Sequence, residues 1–114
     1  MKAPCRFQQG FAEDLALAER FDAVVLCEIL EHVVDVPPVL AVAEQHLAPG
    51  GRVYVSMPLD VANHADWRSR KEHVRHFTPE DVWQLLSAPG RRPVWYQQYQ
   101  TPDGWAQMGS YAPA

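Results

Sequence analysis

Two acids and a histidine directly follow an apolar segment of the chain. Glu28, Glu31 and His32 are three and four positions apart, so on one helical turn their side chains would share a face. A histidine with its ordinary pKa of about 6.5 can take a proton from a hydroxyl group near neutral pH. The alternative is a pair of solvated acids beside a histidine that caps or packs the turn.

The elements around these residues predict where they would lie. A strand is predicted over Phe21–Cys27, and residues 23–27 are an apolar run without alternation, which predicts that this part is buried on both faces of a parallel sheet. In open α/β sheets, ligands bind beyond the carboxyl ends of the strands, where the three residues would be found. A helix capped by Asp35 and reaching Leu47 follows, then a Pro-Gly-Gly turn and a second strand over 52–57.

The remaining sequence predicts one helix and up to three further strands. A short strand is predicted over 5–9, and Thr78 with Pro79 begins a helix whose first turn is acidic. Segments 93–100 and 105–111 predict a hairpin around a turn at 101–104. The expected fold class is therefore α/β, with parallel strands, flanking helices and a C-terminal antiparallel hairpin, in a single domain over 1–114.

The composition narrows the class of protein. The 114 residues are 47% hydrophobic, enough for one core, and the net charge of −4 argues against nucleic-acid binding, which needs a basic face. No apolar run approaches the roughly 20 residues that span a bilayer, and no secretory signal is visible. Two scattered cysteines do not make a disulfide framework, so a cytoplasmic protein with reduced thiols is expected.

Four segments in order resemble the second half of class I S-adenosylmethionine-dependent methyltransferases, in particular the small-molecule and ubiquinone-type O-methyltransferases. They are GFAEDL, FDAVVLCEILEHVVD, HLAPGGRVYVSMP and KEHVRHFTPEDVWQLL. The resemblance implies a Rossmann-like sheet, S-adenosylmethionine as cofactor and methyl transfer to a small-molecule acceptor, through a hydroxyl group. It places Phe11, Ala12, Glu13, Cys27 and Glu28 at the cofactor, with Phe11 at the adenine, where the family usually has an acid.

The resemblance also implies roles for two histidines. Without a metal, His32 or His73 would be the general base that takes the proton of the acceptor. Ubiquinone-type and small-RNA 2′-O-methylating relatives bind a divalent metal on a Glu-x-x-Glu-His turn, which here would supply Glu28, Glu31 and His32, with His73 as the later ligand. Two carboxylates suit Mg²⁺, and two imidazoles favour Mn²⁺ or a later transition ion. Many relatives without a metal carry Leu-Glu-His at this place, so both interpretations stay open.

The departures from the family predict an incomplete domain. The glycine-rich cofactor loop and the ribose-binding acid have no counterpart, and no G-x-G occurs. Without the strand that normally lies beside it, Phe21–Cys27 would have an open edge that can pair with another chain. We therefore expect weak cofactor affinity and either a homo-oligomer or a completing partner.

The residues also allow three other interpretations. The chain could be a non-catalytic methyltransferase-like subunit, or a metal-dependent hydrolase that uses the Glu/His cluster. The basic run over 68–75 could bind an anionic acceptor, although such runs are more often solvated loops.

Overall fold

Four strands form one mixed sheet in the computed structural model, which describes residues 4–59, 75–102 and 104–114. The strands are β1 (Phe21–Cys27), β2 (Leu47–Pro58), β3 (Arg91–Thr101) and β4 (Gly104–Pro113). The helices are α1 (Val36–Gln45) and α2 (Pro79–Leu86), and short 3₁₀ turns cover Ala12–Asp14 and Leu30–His32. None of these described helices is long and apolar enough to cross a membrane.

The strand order is β1-β2-β4-β3, with β1 parallel to β2 and the other two pairs antiparallel. Helix α1 is the crossover that the parallel pair requires. The predicted α/β class and the C-terminal hairpin are confirmed. Because β1 and β2 run the same way, their carboxyl ends meet at one edge, where Cys27 is the register partner of Ser56.

Both helices pack on one face of the sheet. The buried core joins them to strand residues that share that face through the register: Leu26, Val53, Val55, Met57 and Tyr111. The other face, called here the open face, carries the row Val25, Tyr54, Ser110 and Trp95. Val25 is 62% exposed and Trp95 is 41% exposed.

The prediction that residues 23–27 are buried on both faces is wrong. Only Leu26 is buried in β1, and Phe21, Val25 and Cys27 are exposed. The physical reason has two parts. Among the described residues, β1 has a strand neighbour on one side only, and neither described helix packs on its open face. An unbroken apolar run indicates that a strand is suited to burial on both faces, but the described residues cover only one face of β1.

The predicted start of helix α2 at Thr78 is confirmed. The Thr78 hydroxyl accepts from the backbone N–H of Asp81 at 3.1 Å, and the Asp81 carboxylate accepts from the N–H of Thr78 at 2.9 Å, a complete capping box. Helix α1 begins after Asp35, as predicted, but without a side-chain capping bond, and it ends at Gln45 rather than at Leu47, which is the first residue of β2.

The predicted strand over 5–9 is wrong: this segment is exposed and irregular. A strand needs a neighbour to satisfy its backbone groups, and no described strand lies beside it. Further along, the backbone N–H of Leu17 donates to His46 Nε2 at 2.9 Å, which ties the segment before β1 to the end of α1.

Candidate functional site

The chain makes an unusual turn directly after β1. Glu28 has a φ of 55°, in the left-handed region that residues other than glycine seldom occupy. Its backbone N–H donates to the carbonyl oxygen of Ser56 at 3.1 Å, so the parallel ladder extends one residue past β1 before the turn. Strained backbone of this kind persists where the surroundings hold it and is concentrated at functional sites.

A cleft of about 550 Å³ lies beside this turn. One wall comes from residues 10–13 and the other from the turn after β1 and the start of α1. Four of the five predicted cofactor residues line it together with one predicted base: Phe11, Ala12, Glu13, Glu28 and His32. The topology thus brings together two segments that are 15 positions or more apart in the sequence.

The Phe11 wall is a small, well-defined turn. The backbone N–H of Asp14 donates to the carbonyl oxygen of Phe11 at 3.0 Å, and the 3₁₀ turn packs beside α1. The Phe11 ring is 73% exposed although it lines the cleft. An aromatic ring held on a fixed turn with its face accessible is suited to stacking against a planar group.

Cys27, the fifth predicted cofactor residue, is not in the lining of this cleft. Its side chain lies on the open face, where the Ser56 hydroxyl approaches the Cys27 sulfur at 3.5 Å. Its role at the cofactor stays a prediction.

The predicted common face of Glu28, Glu31 and His32 is wrong. Glu28 lies outside the 3₁₀ turn because its left-handed backbone interrupts the helical path, and the turn begins only at Leu30. Glu31 is buried at 2% exposure, whereas Glu28 and His32 are exposed at the cleft. Burial raises the pKa of the Glu31 carboxyl, and the nearby charge of Glu28 raises it further. A backbone hydrogen bond and the nearby His32 lower the pKa but do not cancel the rise.

This arrangement bears on the metal hypothesis. Within the described part of the chain, no group of three His, Cys, Asp or Glu side chains could hold a metal ion. The Glu31 Oε1 atom is buried without a hydrogen-bond partner there, while the Oε2 atom of the same carboxylate lies 3.9 Å from His32 Nε2. His73 lies outside the described residues. Metal binding stays a prediction.

Of the basic run, Arg75 is the member that the structure describes. Its guanidinium donates to the carbonyl oxygen of Val34 at 2.6 Å, and its backbone N–H donates to that of Glu31 at 3.3 Å. Arg75 therefore supports the wall of the cleft rather than lying free in solvent. Arg68, Arg70 and Lys71 lie outside the described residues.

Two residues beside the cleft were not predicted from the sequence. The Ser56 hydroxyl lies 3.4 Å from Glu28 Oε2, and Tyr99 reaches the same place from β3. Burial raises the pKa of the Tyr99 phenol, as do Glu28 and Cys27, while a hydrogen bond with Ser56 lowers it. Tyr99 is 71 positions from Glu28 in the sequence, so only the register of β3 and β4 could have revealed the contact.

Comparison with known proteins matches residues 2–93 to a family described as a methyltransferase domain. A ubiquinone biosynthesis O-methyltransferase of Cereibacter sphaeroides is 34% identical over 102 residues, which cover 77% of this chain and 41% of that protein. The chain therefore spans about two-fifths of the length of this curated relative.

Solved structures show the same fold. The glycopeptide N-methyltransferase MtfA complexed with S-adenosylmethionine has a TM-score of 0.68 at 17% identity, over 93% of this chain and 59% of that one. The N-methyltransferase NodS from Bradyrhizobium japonicum in complex with S-adenosylhomocysteine has a TM-score of 0.69 at 22% identity, over 91% and 52%. At these identities the likeness establishes the fold, a partial class I methyltransferase sheet.

Proposed function

The chain belongs to the methyltransferase-domain family, and from this premise we propose that it serves S-adenosylmethionine-dependent methyl transfer to a small-molecule hydroxyl group. The observation that carries the proposal is the cleft beside the strained turn at Glu28, at the carboxyl end of a parallel strand. Such edges are where open α/β sheets bind their ligands.

The residues of the cleft match the chemistry of the cofactor. The Phe11 ring offers a stacking surface for the adenine, at the place where the family usually has an acid. The carboxylates of Glu13 and Glu28 line the same cleft and suit the hydroxyl and cationic groups of the cofactor. Bound S-adenosylmethionine supplies a methyl group on a positively charged sulfur.

His32 lines the cleft and is our candidate for the general base. Bound S-adenosylmethionine would supply the methyl group and keep the electron pair of the broken carbon–sulfur bond on its sulfur, and His32 would accept the proton of the acceptor hydroxyl. His73 is the second candidate base that the resemblance implies, and it lies outside the described residues.

The choice of a hydroxyl acceptor rests on the curated relative, whose name is that of an O-methyltransferase, and the hydroxyl is the finer part of the proposal. We also propose a cytoplasmic location, which the two exposed free thiols, Cys5 and Cys27, support.

Calorimetric titration with S-adenosylhomocysteine tests cofactor binding. The expected result is saturable heat with one site per chain and weak affinity, because the glycine-rich loop has no counterpart in the sequence. Adenine titrated alone should produce a smaller response, since it engages the Phe11 wall only. No heat at a large excess of S-adenosylhomocysteine would contradict the proposal.

The open edge of β1 favours a second candidate function, a non-catalytic subunit that pairs with a second copy of the chain. β1 is paired on one side among the described strands, and Val25 beside that edge is 62% exposed. Unpaired edges and apolar side chains of this kind favour strand addition. Light scattering after size exclusion should then show a dimer that Val25→Lys converts to a monomer. A wild-type monomer at all concentrations would contradict self-association.

A further inference from the structure

The open face carries a polar cluster at the carboxyl ends of β1 and β2. Cys27 and Ser56 are register partners there. Tyr99 of β3 lies on the same face one row further along, because it pairs with Ala106, which in turn pairs with Pro58. Ser56 is 4% exposed, so its hydroxyl must find partners within the protein.

Ser56 holds Glu28 at two points. Its carbonyl oxygen accepts the Glu28 backbone N–H at 3.1 Å, and its hydroxyl donates to Glu28 Oε2 at 3.4 Å. The first contact fixes the backbone at a φ of 55°, and the second fixes the carboxylate of the same residue. A left-handed glutamate costs conformational free energy, so its retention needs contacts of this kind.

Tyr99 is the third residue of this cluster. The Ser56 hydroxyl is within hydrogen-bond distance of two acceptors, Glu28 Oε2 at 3.4 Å and the Cys27 sulfur at 3.5 Å, and the charged carboxylate is the stronger acceptor. The Tyr99 phenol also hydrogen-bonds with Ser56, so Ser56 links Tyr99 to Glu28.

We propose that Ser56 and Tyr99 are positioning residues of the methyl-transfer site, which hold Glu28 in its left-handed conformation at the wall of the cleft. The inference rests on the proposed function. Neither Ser56 nor Tyr99 lines the cleft, whereas Glu28 does, so both act through Glu28.

The test compares S-adenosylhomocysteine affinity across a set of variants. Ser56→Ala should weaken binding about tenfold, the size expected for one hydrogen bond to a charged group. Tyr99→Phe should weaken it by a smaller factor, and Ser56→Thr, which keeps the hydroxyl, should bind better than Ser56→Ala. Adding Ser56→Ala to Glu28→Gln should change affinity by less than about twofold, because the two residues act as one unit.

Ser110→Ala is the matched control. Ser110 is also buried on the open face, at 1% exposure, but it pairs with Tyr54, two positions before Ser56 along β2. It should leave affinity unchanged. Equal losses in Ser56→Ala and Ser110→Ala, or no loss in Ser56→Ala, would overturn the positioning role.

A readout without ligand separates this inference from the proposed function. Amide hydrogen exchange at Glu28 should be faster in Ser56→Ala than in the wild type and unchanged in Ser110→Ala. If the wild type does not bind S-adenosylhomocysteine but this difference is seen, the proposed methyl transfer is contradicted and the positioning of Glu28 by Ser56 is supported. An unchanged exchange rate in Ser56→Ala would overturn the role of the Ser56 hydroxyl in holding Glu28.

Discussion

At the scale of residues, Glu28 and Glu31 show how one turn gives two similar side chains different chemistry. Glu28 lines the cleft with a left-handed backbone, while Glu31 lies inside the protein at 2% exposure. The Glu31 Oε1 atom has no hydrogen-bond partner among the described residues. A buried carboxyl in this position resists ionisation, because the charged form loses its hydration.

The stability of the chain should therefore carry a pH dependence from Glu31. Its folded-state pKa is raised above 4.5, so its contribution is complete below that pH and is lost as the pH rises through the raised value. Glu31→Gln should remove this loss, so that the variant is more stable than the wild type near neutral pH. Urea unfolding at several pH values measures the effect.

Glu13→Gln is the control for the pH measurement, since Glu13 is exposed. It should keep the pH dependence of the wild type. A Glu31→Gln variant with the same slope as the wild type would show that Glu31 does not titrate between the two states as described.

At the scale of elements, helix α2 packs closely against β4 at Gly109. A Cβ atom added to Gly109 would lie 2.6 Å from Leu86 Cδ1 and 3.0 Å from the carbonyl oxygen of Trp95. The sequence predicted where α2 begins, because its capping box is local to Thr78 and Asp81. It could not predict this contact, which depends on how β4 is aligned beneath the helix.

Gly109→Ala should destabilise the chain by about 1–3 kcal/mol, since the added methyl group forces the helix or the sheet to shift. Gly10→Ala is the control, because a Cβ there meets nothing within 4 Å. Thermal and urea unfolding of both variants measure the difference. Equal stability of Gly109→Ala and the wild type would mean that α2 is not packed on β4 as closely as described.

At the scale of the whole molecule, the order of elements and the open edge of β1 were predicted from the sequence, whereas the exposed face of β1 was not. The apolar run of β1 and the two hairpin strands carry local signals, so the parallel pair and the C-terminal hairpin follow from the sequence, whereas the predicted Pro-Gly-Gly turn lies within β2. The exposure of β1 depends on neighbours that its own residues do not encode. The single truncated domain over 1–114 stays a prediction.

The candidate site divides in the same way. Phe11 and Glu28 could be proposed from motifs, since each sits in a segment that resembles the family, and the fold places both at one cleft. Ser56 and Tyr99 could not, because nothing in their local sequence indicates that they meet beside Glu28. Motifs therefore identify groups at the cleft, whereas the contacts that hold those groups come from the sheet register.

The proposed function depends on binding of the adenosyl cofactor in the cleft between Phe11 and Glu28. Two exposed phenylalanines four positions apart give a matched measurement: Phe11 lines the cleft and Phe7, at 95% exposure, does not. By calorimetry, Phe11→Ala should lose about 1–3 kcal/mol of S-adenosylhomocysteine binding, the usual worth of stacking a base on an aromatic ring, while Phe7→Ala keeps wild-type affinity. Wild-type affinity in Phe11→Ala, or an equal loss in both variants, would contradict the account.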